Sequence, residues 1–288
     1  MKKNFLFGKK WFFEDFLPDS PQTSTWGFLI EKEVYSGKSK FQRIEVFDTK
    51  EFGRVLVLDG IVQLSTRHEF IYHEMLVHPA MLYHSKAKRV LIIGGGDGGT
   101  LREVAKYPVK EIFQVDIDKK VIEVSKKYLP SLSKGAFDDK RLRFFNEDAL
   151  EFIKRYNNFF DVIINDLTDP TPVARFCWNV RFYRLVSRAL KEDGVAGFQS
   201  GSLKEKFPQK ARKDLAKVFP FFVVHRAFVD CFPFDEYTFS FGSKTVGFDE
   251  VAAGEIKKRY KKFNLKTNYY SSEIHFNSTV FPKKYPPF

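Results

Sequence analysis

The sequence predicts an α/β fold, a Rossmann-like and mainly parallel sheet behind a small antiparallel β domain. Three observations predict it. From Arg89 onward, near-continuous apolar runs that read as buried strands alternate with segments of helical spacing. Before that point, short runs rich in β-branched residues are separated by turn signals. Where the second pattern starts, a strand ends in a run of glycines that opens a helix.

The elements follow in order. WGFLIEKEVY, FQRIEVFDT and GRVLVLDGIVQLS read as strands of one antiparallel sheet, giving a β domain over residues 1–66 and a catalytic domain over 67–288. In FQRIEVF the alternation runs through Phe41 and Val46, with Ile44 displaced by one. Asp59-Gly60 between two apolar runs predicts a hairpin. HEFIYHEMLVHPAMLYH (68–84) has helical spacing. RVLIIGGG and EIFQVDID then read as strands, each followed by a helix, TLREVAKY and KKVIEVSKKYL. RLRFFNEDA, FDVIINDL and GVAGFQS read as further strands, with helices before the second and third.

Composition narrows the function classes. The 288 residues are 43% hydrophobic and 29% charged, which excludes a disordered or collagen-like chain. A chain this long buries a core without disulfide or metal staples. The net charge of +12 raises nucleic acid as a partner, but basic residues are spread along the chain and interleaved with acidic ones. A solvated basic surface is expected instead, with no nucleic-acid or membrane partner. Cys177 and Cys231 form no CxxC pair, which points to a reducing, cytoplasmic compartment. The start MKKNFLFGKKWFFEDF imitates a signal peptide, but Lys9, Lys10, Glu14 and Asp15 interrupt any apolar segment.

The chemistry sits at the strand ends. Gly94, Gly96 and Gly99 fit a dinucleotide fingerprint, and Asp116 stands about 20 residues on, where a carboxylate grips ribose hydroxyls. Asp97 argues against a dinucleotide, because a carboxylate among the glycines would repel pyrophosphate. An adenosyl sulfonium compound carries adenosine and positive charge without phosphate, and satisfies loop, ribose carboxylate and Asp97 together. Asp148 follows the third strand of this sheet, where it can accept from an adenine amine. Asp166 and Asp169 stand at the end of the fourth; Asp169 could alternatively cap the next helix. An acidic rim of Asp97, Asp116, Asp148, Asp166 and Asp169 in a basic protein is suited to a polycation. His68, His73 and His78 are not a metal motif, since HEFIY and HEMLV both lack the second His of HExxH. Cys177 has no neighbouring His to make it reactive. Of Phe219, Phe221 and Phe222, core packing is the expected role.

Taken together, VLIIGGGDGGTLREV, QVDIDKKVIEVSKKYLP, NEDALEF, DVIINDLTDP and FYRLVSRALKEDGV resemble the polyamine aminopropyltransferases, the spermidine synthase family. The likeness extends upstream through VLVLDGIVQLSTRHEFIYHEMLVH and downstream to YYSSEIHFNSTVFP. It implies a methyltransferase-like Rossmann domain (class I type) and transfer of an aminopropyl group from decarboxylated S-adenosylmethionine to a polyamine, leaving 5′-methylthioadenosine. Putrescine is the favoured acceptor, with spermidine or agmatine as alternatives. The donor is a co-substrate, and neither cofactor nor metal is expected, because a sulfonium is already a good leaving group. A homodimer or homotetramer is also implied.

Residue by residue, the resemblance assigns Asp166 as the catalytic base. It places Gln42, Gln63, Gly94 and Gly96 at the donor, Asp97 at its propylamine nitrogen, Asp116 at the ribose and Asp148 at the adenine. Tyr72, His73 and Asp169 would line the acceptor channel. The sequence departs from the family after Pro170, where the usual Gly-Pro-Ala is missing, and at Asp230–Tyr237, where Phe232 replaces the acceptor-touching Tyr. Asp235 and Glu236 add charge there, which suits a longer acceptor, while Asp166-Leu167-Thr168-Asp169-Pro170 and Asp235 two residues before Tyr237 resemble thermospermine synthases; drift in the loop is the alternative. An S-adenosylmethionine-dependent methyltransferase is the more distant alternative, and it would need neither Asp97 nor the Asp166/Asp169 pair.

Overall fold

The computed structural model describes residues 4–6, 8–14, 25–171, 174–232 and 235–288. Two small antiparallel sheets stand where one was expected. The first pairs β1 (Asn4–Leu6), β2 (Lys9–Phe13) and β3 (Gly27–Leu29). The second is a meander of β4 (Lys32–Lys38), β5 (Arg43–Thr49), β6 (Gly53–Leu58) and β7 (Ile61–Ser65). Its last turn is the Asp-Gly pair, with φ 49° at Asp59 and 84° at Gly60, the left-handed pair that a two-residue hairpin requires.

β5 does not alternate. Ile44, Glu45, Val46 and Phe47 are all fully buried, because both faces of the meander are covered. Phe47 joins Phe12 and Phe28 on one side, while Ile44, Val46 and Leu56 pack against Val121, Val124 and Leu132 on the other. A period of two disappears when neither face meets water.

The helix α1 (Glu69–His84) follows, buried along nearly its whole length. The central sheet then assembles from β8 (Arg89–Gly94), β9 (Glu111–Val115), β10 (Leu142–Phe145), β11 (Phe160–Asp166), β12 (Leu190–Ser202), β13 (Phe221–Ala227) and β14 (Tyr237–Ser243). Between them lie α2 (Gly99–Ala105), α3 (Lys119–Tyr128), α4 (Pro130–Ser133), α5 (Ala149–Ile153), α6 (Val180–Ala189) and α7 (Lys206–Ala216). The helices α8 (Ala253–Lys262) and α9 (Ser272–Asn277) come after the sheet. The spatial order is β10-β9-β8-β11-β12-β14-β13, and β14 alone runs against the others. Strand order therefore reverses between β8 and β11, which opens a crevice at their carboxyl ends. Of the three phenylalanines read as core, Phe219 is buried, whereas Phe221 is 36% exposed. Among the described residues, no helix is long and apolar enough to cross a membrane.

Candidate active site

The glycine loop is shaped by the side chains packed on it. Gly94 and Gly95 turn the chain at φ 82° and 67°, and the Gly95 N–H donates to the Asp166 carbonyl at 3.0 Å. A Cβ on Gly94 would collide with that carbonyl, and one on Gly96 would lie 2.9 Å from Asp116 Oδ2. A Cβ on Gly99 would overlap the His73 ring. These glycines bring acidic and imidazole side chains against the backbone at the switch point.

The crevice encloses about 980 Å³ counted with its open mouth, and Gln42 and Gln63 reach it from the meander. Gln63 donates to the Ile61 carbonyl at 3.2 Å. Gln42 Nε2 donates to Asp118 Oδ2 at 2.9 Å, and Ser39 Oγ donates to the same oxygen at 2.6 Å. Asp118 also caps α3 by accepting from the Lys120 N–H, so one carboxylate ties the meander to the central sheet. Asp116, directly after β9, accepts from the Asp118 N–H at 2.8 Å. Burial, with the negative charges of Asp118, Asp97 and Asp166, pushes it up to about 7. Asp148 lines the crevice while accepting from the Leu150 N–H at the start of α5.

At the centre, Asp166 accepts from Tyr72 Oη at 2.7 Å and from Thr100 Oγ1 at 2.6 Å. Burial and the neighbouring Asp97 raise its pKa, against the opposing His73 charge and the two hydroxyl bonds. Asp97 accepts from the Gly99 N–H at 2.7 Å and faces His73 Nε2 at 3.2 Å. Burial works against its charge, but His73 outweighs burial and holds Asp97 below the usual carboxylate range. His73 turns its other nitrogen to Glu69 at 2.6 Å, and is held well above the ordinary histidine range by Asp97 and Glu69 despite its burial. One atom each from His73, Asp97 and Asp166 lie within 4.8 Å of one another. Both ring nitrogens of His73 thus face carboxylates, an arrangement that favours the imidazolium form.

A second group lies beyond Asp166. Asp169 is 3.4 Å from Tyr237 Oη, which donates to Gln199 Oε1 at 2.6 Å. Burial and Glu205 push Asp169 up to about 6. Glu14 accepts from the Val62 N–H at 2.8 Å and from Trp26 Nε1; burial, with the charges of Asp169 and Glu205, pushes it up to about 7. The rings of Tyr72, Phe232 and Tyr237 pack together, Phe232 to Tyr237 at 4.9 Å between centroids.

Several expectations need correction. Asp235, just before β14, is engaged by the end of β12: Oδ2 accepts from the Lys204 N–H at 2.6 Å and from Ser202 Oγ at 2.9 Å. Glu236 pairs with Arg226. Both carboxylates thus have protein partners, and neither is among the residues lining the crevice. The capping alternative for Asp169 also falls, since its side chain turns to Tyr237. His73 lies on the Asp97 side of Asp166. The three histidines of 68–78 have separate partners, Asp230, Asp97 with Glu69, and Glu103. Cys177 lines the crevice, but burial, then Asp148, pushes its thiol up to about 12. Sequence reasoning gave no site role to Thr100, Glu14, Glu205, Gln199 and Arg102, and noted Glu69 as sharing a helical face with Tyr72 without linking it to His73. Of these, only Glu69 carried a local signal, four residues before His73 on one helical face.

The chain is similar to known proteins over most of its length. Residues 69–250 match the spermine/spermidine synthase domain, and residues 11–66 match the spermidine synthase tetramerisation domain. The chain is 42% identical over 271 residues to a polyamine aminopropyltransferase of Hydrogenobaculum sp. (strain Y04AAS1), covering 93% of each. It is 41% identical to polyamine aminopropyltransferase 1 of Aquifex aeolicus (strain VF5) over 251 residues, 86% of each chain. A crystal structure of spermidine synthase in complex with the transition state analogue AdoDATO superposes with a TM-score of 0.88 at 35% identity, covering 95% of this chain and 92% of that one. Spermidine synthase from Thermotoga maritima gives 0.87 at 36% identity over the same shares.

Proposed function

Because the chain belongs to the spermine/spermidine synthase family and is a polyamine aminopropyltransferase, we propose that it moves an aminopropyl group from decarboxylated S-adenosylmethionine to putrescine. In this reading Gln42, Gln63 and the backbone at Gly94 and Gly96 hold the donor, Asp116 its ribose and Asp148 its adenine. Asp97, backed by His73, takes the propylammonium group. Asp166 sits between the two substrates, and Asp169 with Glu205 and Glu14 receives the acceptor's distant ammonium. Phe232, Tyr72 and Tyr237 supply the apolar wall along its methylenes.

An aliphatic amine with a pKa near ~10 is protonated at neutral pH and cannot attack. Asp166, raised by burial and by Asp97, takes that proton, a role typically contributing ~10²–10⁴-fold. The neutral nitrogen then attacks the methylene beside sulfur; the new C–N bond forms as C–S breaks, and sulfur leaves as the neutral thioether of 5′-methylthioadenosine. Tyr72 and Thr100 fix the carboxylate orientation through both oxygens.

The observation that carries this reading is the unequal pairing of two adjacent carboxylates at the switch point: Asp97 faces His73 Nε2 at 3.2 Å, whereas Asp166 accepts from the neutral hydroxyls of Tyr72 and Thr100. The pairing of Asp235 with Ser202 and Lys204, and of Glu236 with Arg226, supports a short diamine. A longer acceptor such as spermidine is the second reading, favoured by the extra carboxylates Glu14 and Glu205 near Asp169. The test offers putrescine, agmatine and spermidine separately with decarboxylated S-adenosylmethionine and separates the products. Spermidine from putrescine as the fastest product is expected. Preference for spermidine as acceptor would select the second reading, and no methylthioadenosine with any amine would overturn both. The match of 11–66 to a tetramerisation domain supports a homotetramer, which light scattering on the purified protein would check.

A further inference from the structure

Behind Asp97 and His73 runs a buried row of charges that the transfer step does not touch. Glu69 Oε2 receives His73 Nδ1 at 2.6 Å, one turn back along α1. Arg102 of α2 grips the same carboxylate with two parallel bonds, Nη1 to Oε1 at 2.7 Å and Nη2 to Oε2 at 3.0 Å. Arg102 also donates Nε to Glu103 Oε1 at 2.7 Å and Nη1 to the Leu132 carbonyl at 2.7 Å. His73, Glu69, Arg102 and Glu103 are each less than one-tenth exposed. Gly99 lies directly under the imidazole, where a Cβ would overlap the ring. From Asp97 to Glu103 the signs alternate along a path whose rear members stay out of the crevice.

We propose that Glu69 and Arg102 are positioning residues of the transfer reaction: by holding His73 as a cation against Asp97, they keep Asp97 charged and leave Asp166 as the carboxylate that takes the acceptor's proton. The proposal rests on the reading of Asp166 as the base.

The geometry supplies the reasons. A neutral imidazole has one N–H and one lone pair, so it cannot face two carboxylates without repulsion; the arrangement requires imidazolium. Glu69 can be the second carboxylate only while Arg102 compensates its buried charge. Bidentate pairing also fixes its plane, and hence the ring's. The groups facing His73 are Glu69 and Tyr72 on α1, Asp97 after β8 and Asp166 on β11, with Arg102 of α2 acting through Glu69. Two carboxylates so close do not both ionise freely, and the nearer cation decides which yields. His73 is 3.2 Å from Asp97, whereas the Asp166 carboxylate, among the described residues, is bonded by the neutral hydroxyls of Tyr72 and Thr100.

The test uses the full-length enzyme with ring ¹⁵N-labelled histidine, His73 being assigned by its loss in His73→Gln. In the wild type both His73 nitrogens carry protons at pH 8. In Glu69→Gln one proton is gone at pH 8, and the acid limb of the kcat/KM profile moves up by about one pH unit, because Asp166 loses a nearby cation. If this variant fails to fold, with Arg102 left buried and unpaired, the paired variant E69Q/R102M removes both charges and predicts the same two changes. A neutral His73 in the wild type at pH 8 would overturn the proposal. So would a variant in which His73 loses its proton, or activity falls, with the acid limb unmoved. Full activity in Asp166→Asn would instead sink the base assignment, and it leaves the His73 spectrum as it was.

Discussion

Replacing Asp97 by asparagine would keep the shape of the loop and remove the charge that faces His73. Ordinary S-adenosylmethionine differs from its decarboxylated form by a carboxylate beside the amine, which an ionised Asp97 repels. Asp97→Asn is therefore expected to narrow the preference for the decarboxylated donor by about tenfold or more, equivalent to roughly 1.4 kcal/mol. Competition between the two donors measures this, and an unchanged ratio would count against it. Tyr72→Phe tests the base from another direction. The Tyr72 hydroxyl bonds the charged form of Asp166, so its loss raises the Asp166 pKa further. The deprotonated form is the base; the variant should thus lose more of its kcat/KM at pH 6 than at pH 8, and equal losses would refute the assignment.

Elements place these residues through their ends. Asp118 caps α3 and, with its other oxygen, anchors Ser39 and Gln42 from the loop before β5. Asp118→Ala removes a helix cap worth about 1 kcal/mol together with the tie to the meander. Expected are a lower urea midpoint and a raised KM for the donor with a smaller effect on the acceptor. If stability falls and the donor KM does not change, Gln42 does not depend on this anchor. The glycine loop works in the same way at the end of β8, where Gly99 is needed for the ring above it. Gly99→Ala should lower kcat/KM more than tenfold by displacing His73 while far-ultraviolet circular dichroism stays that of the wild type.

On the scale of the molecule, a chain of charge +12 gathers carboxylates around one cleft. Asp116, Asp169 and Glu14 are raised to about 7, 6 and 7, above their values in an unfolded chain. Between about pH 4 and 7 the native state therefore holds protons that the unfolded chain has released, so their contribution to stability is present at low pH and lost as pH rises through those values. Putrescine remains dicationic over the whole range and, as the proposed acceptor, is expected to bind the deprotonated cleft more strongly. Its increase in Tm should be larger at pH 8 than at pH 5.5, as thermal scans at fixed amine concentration would show. Equal shifts at both values would mean that Asp169 and Glu14 do not face the amine.

The carboxylates at Asp97, Asp116, Asp148 and Asp166 were legible in the sequence because each follows a strand within its own βα unit, where position along the chain determines position on the rim. The strand–helix alternation and the Asp59-Gly60 hairpin were legible for the same local reason. The sequence by itself therefore determined the fold class, the acidic rim and, through resemblance, the reaction. Tertiary structure alone decided which charges meet. Glu14 lies near Asp169, Arg102 grips Glu69, and Asp235 folds back on Lys204, pairings that cross between elements and leave no periodic trace. It also decided that β5 is covered on both faces, which erased the alternation expected of it. A carboxylate's chemistry depends on its burial and on the nearest opposite charge, and both are properties of packing.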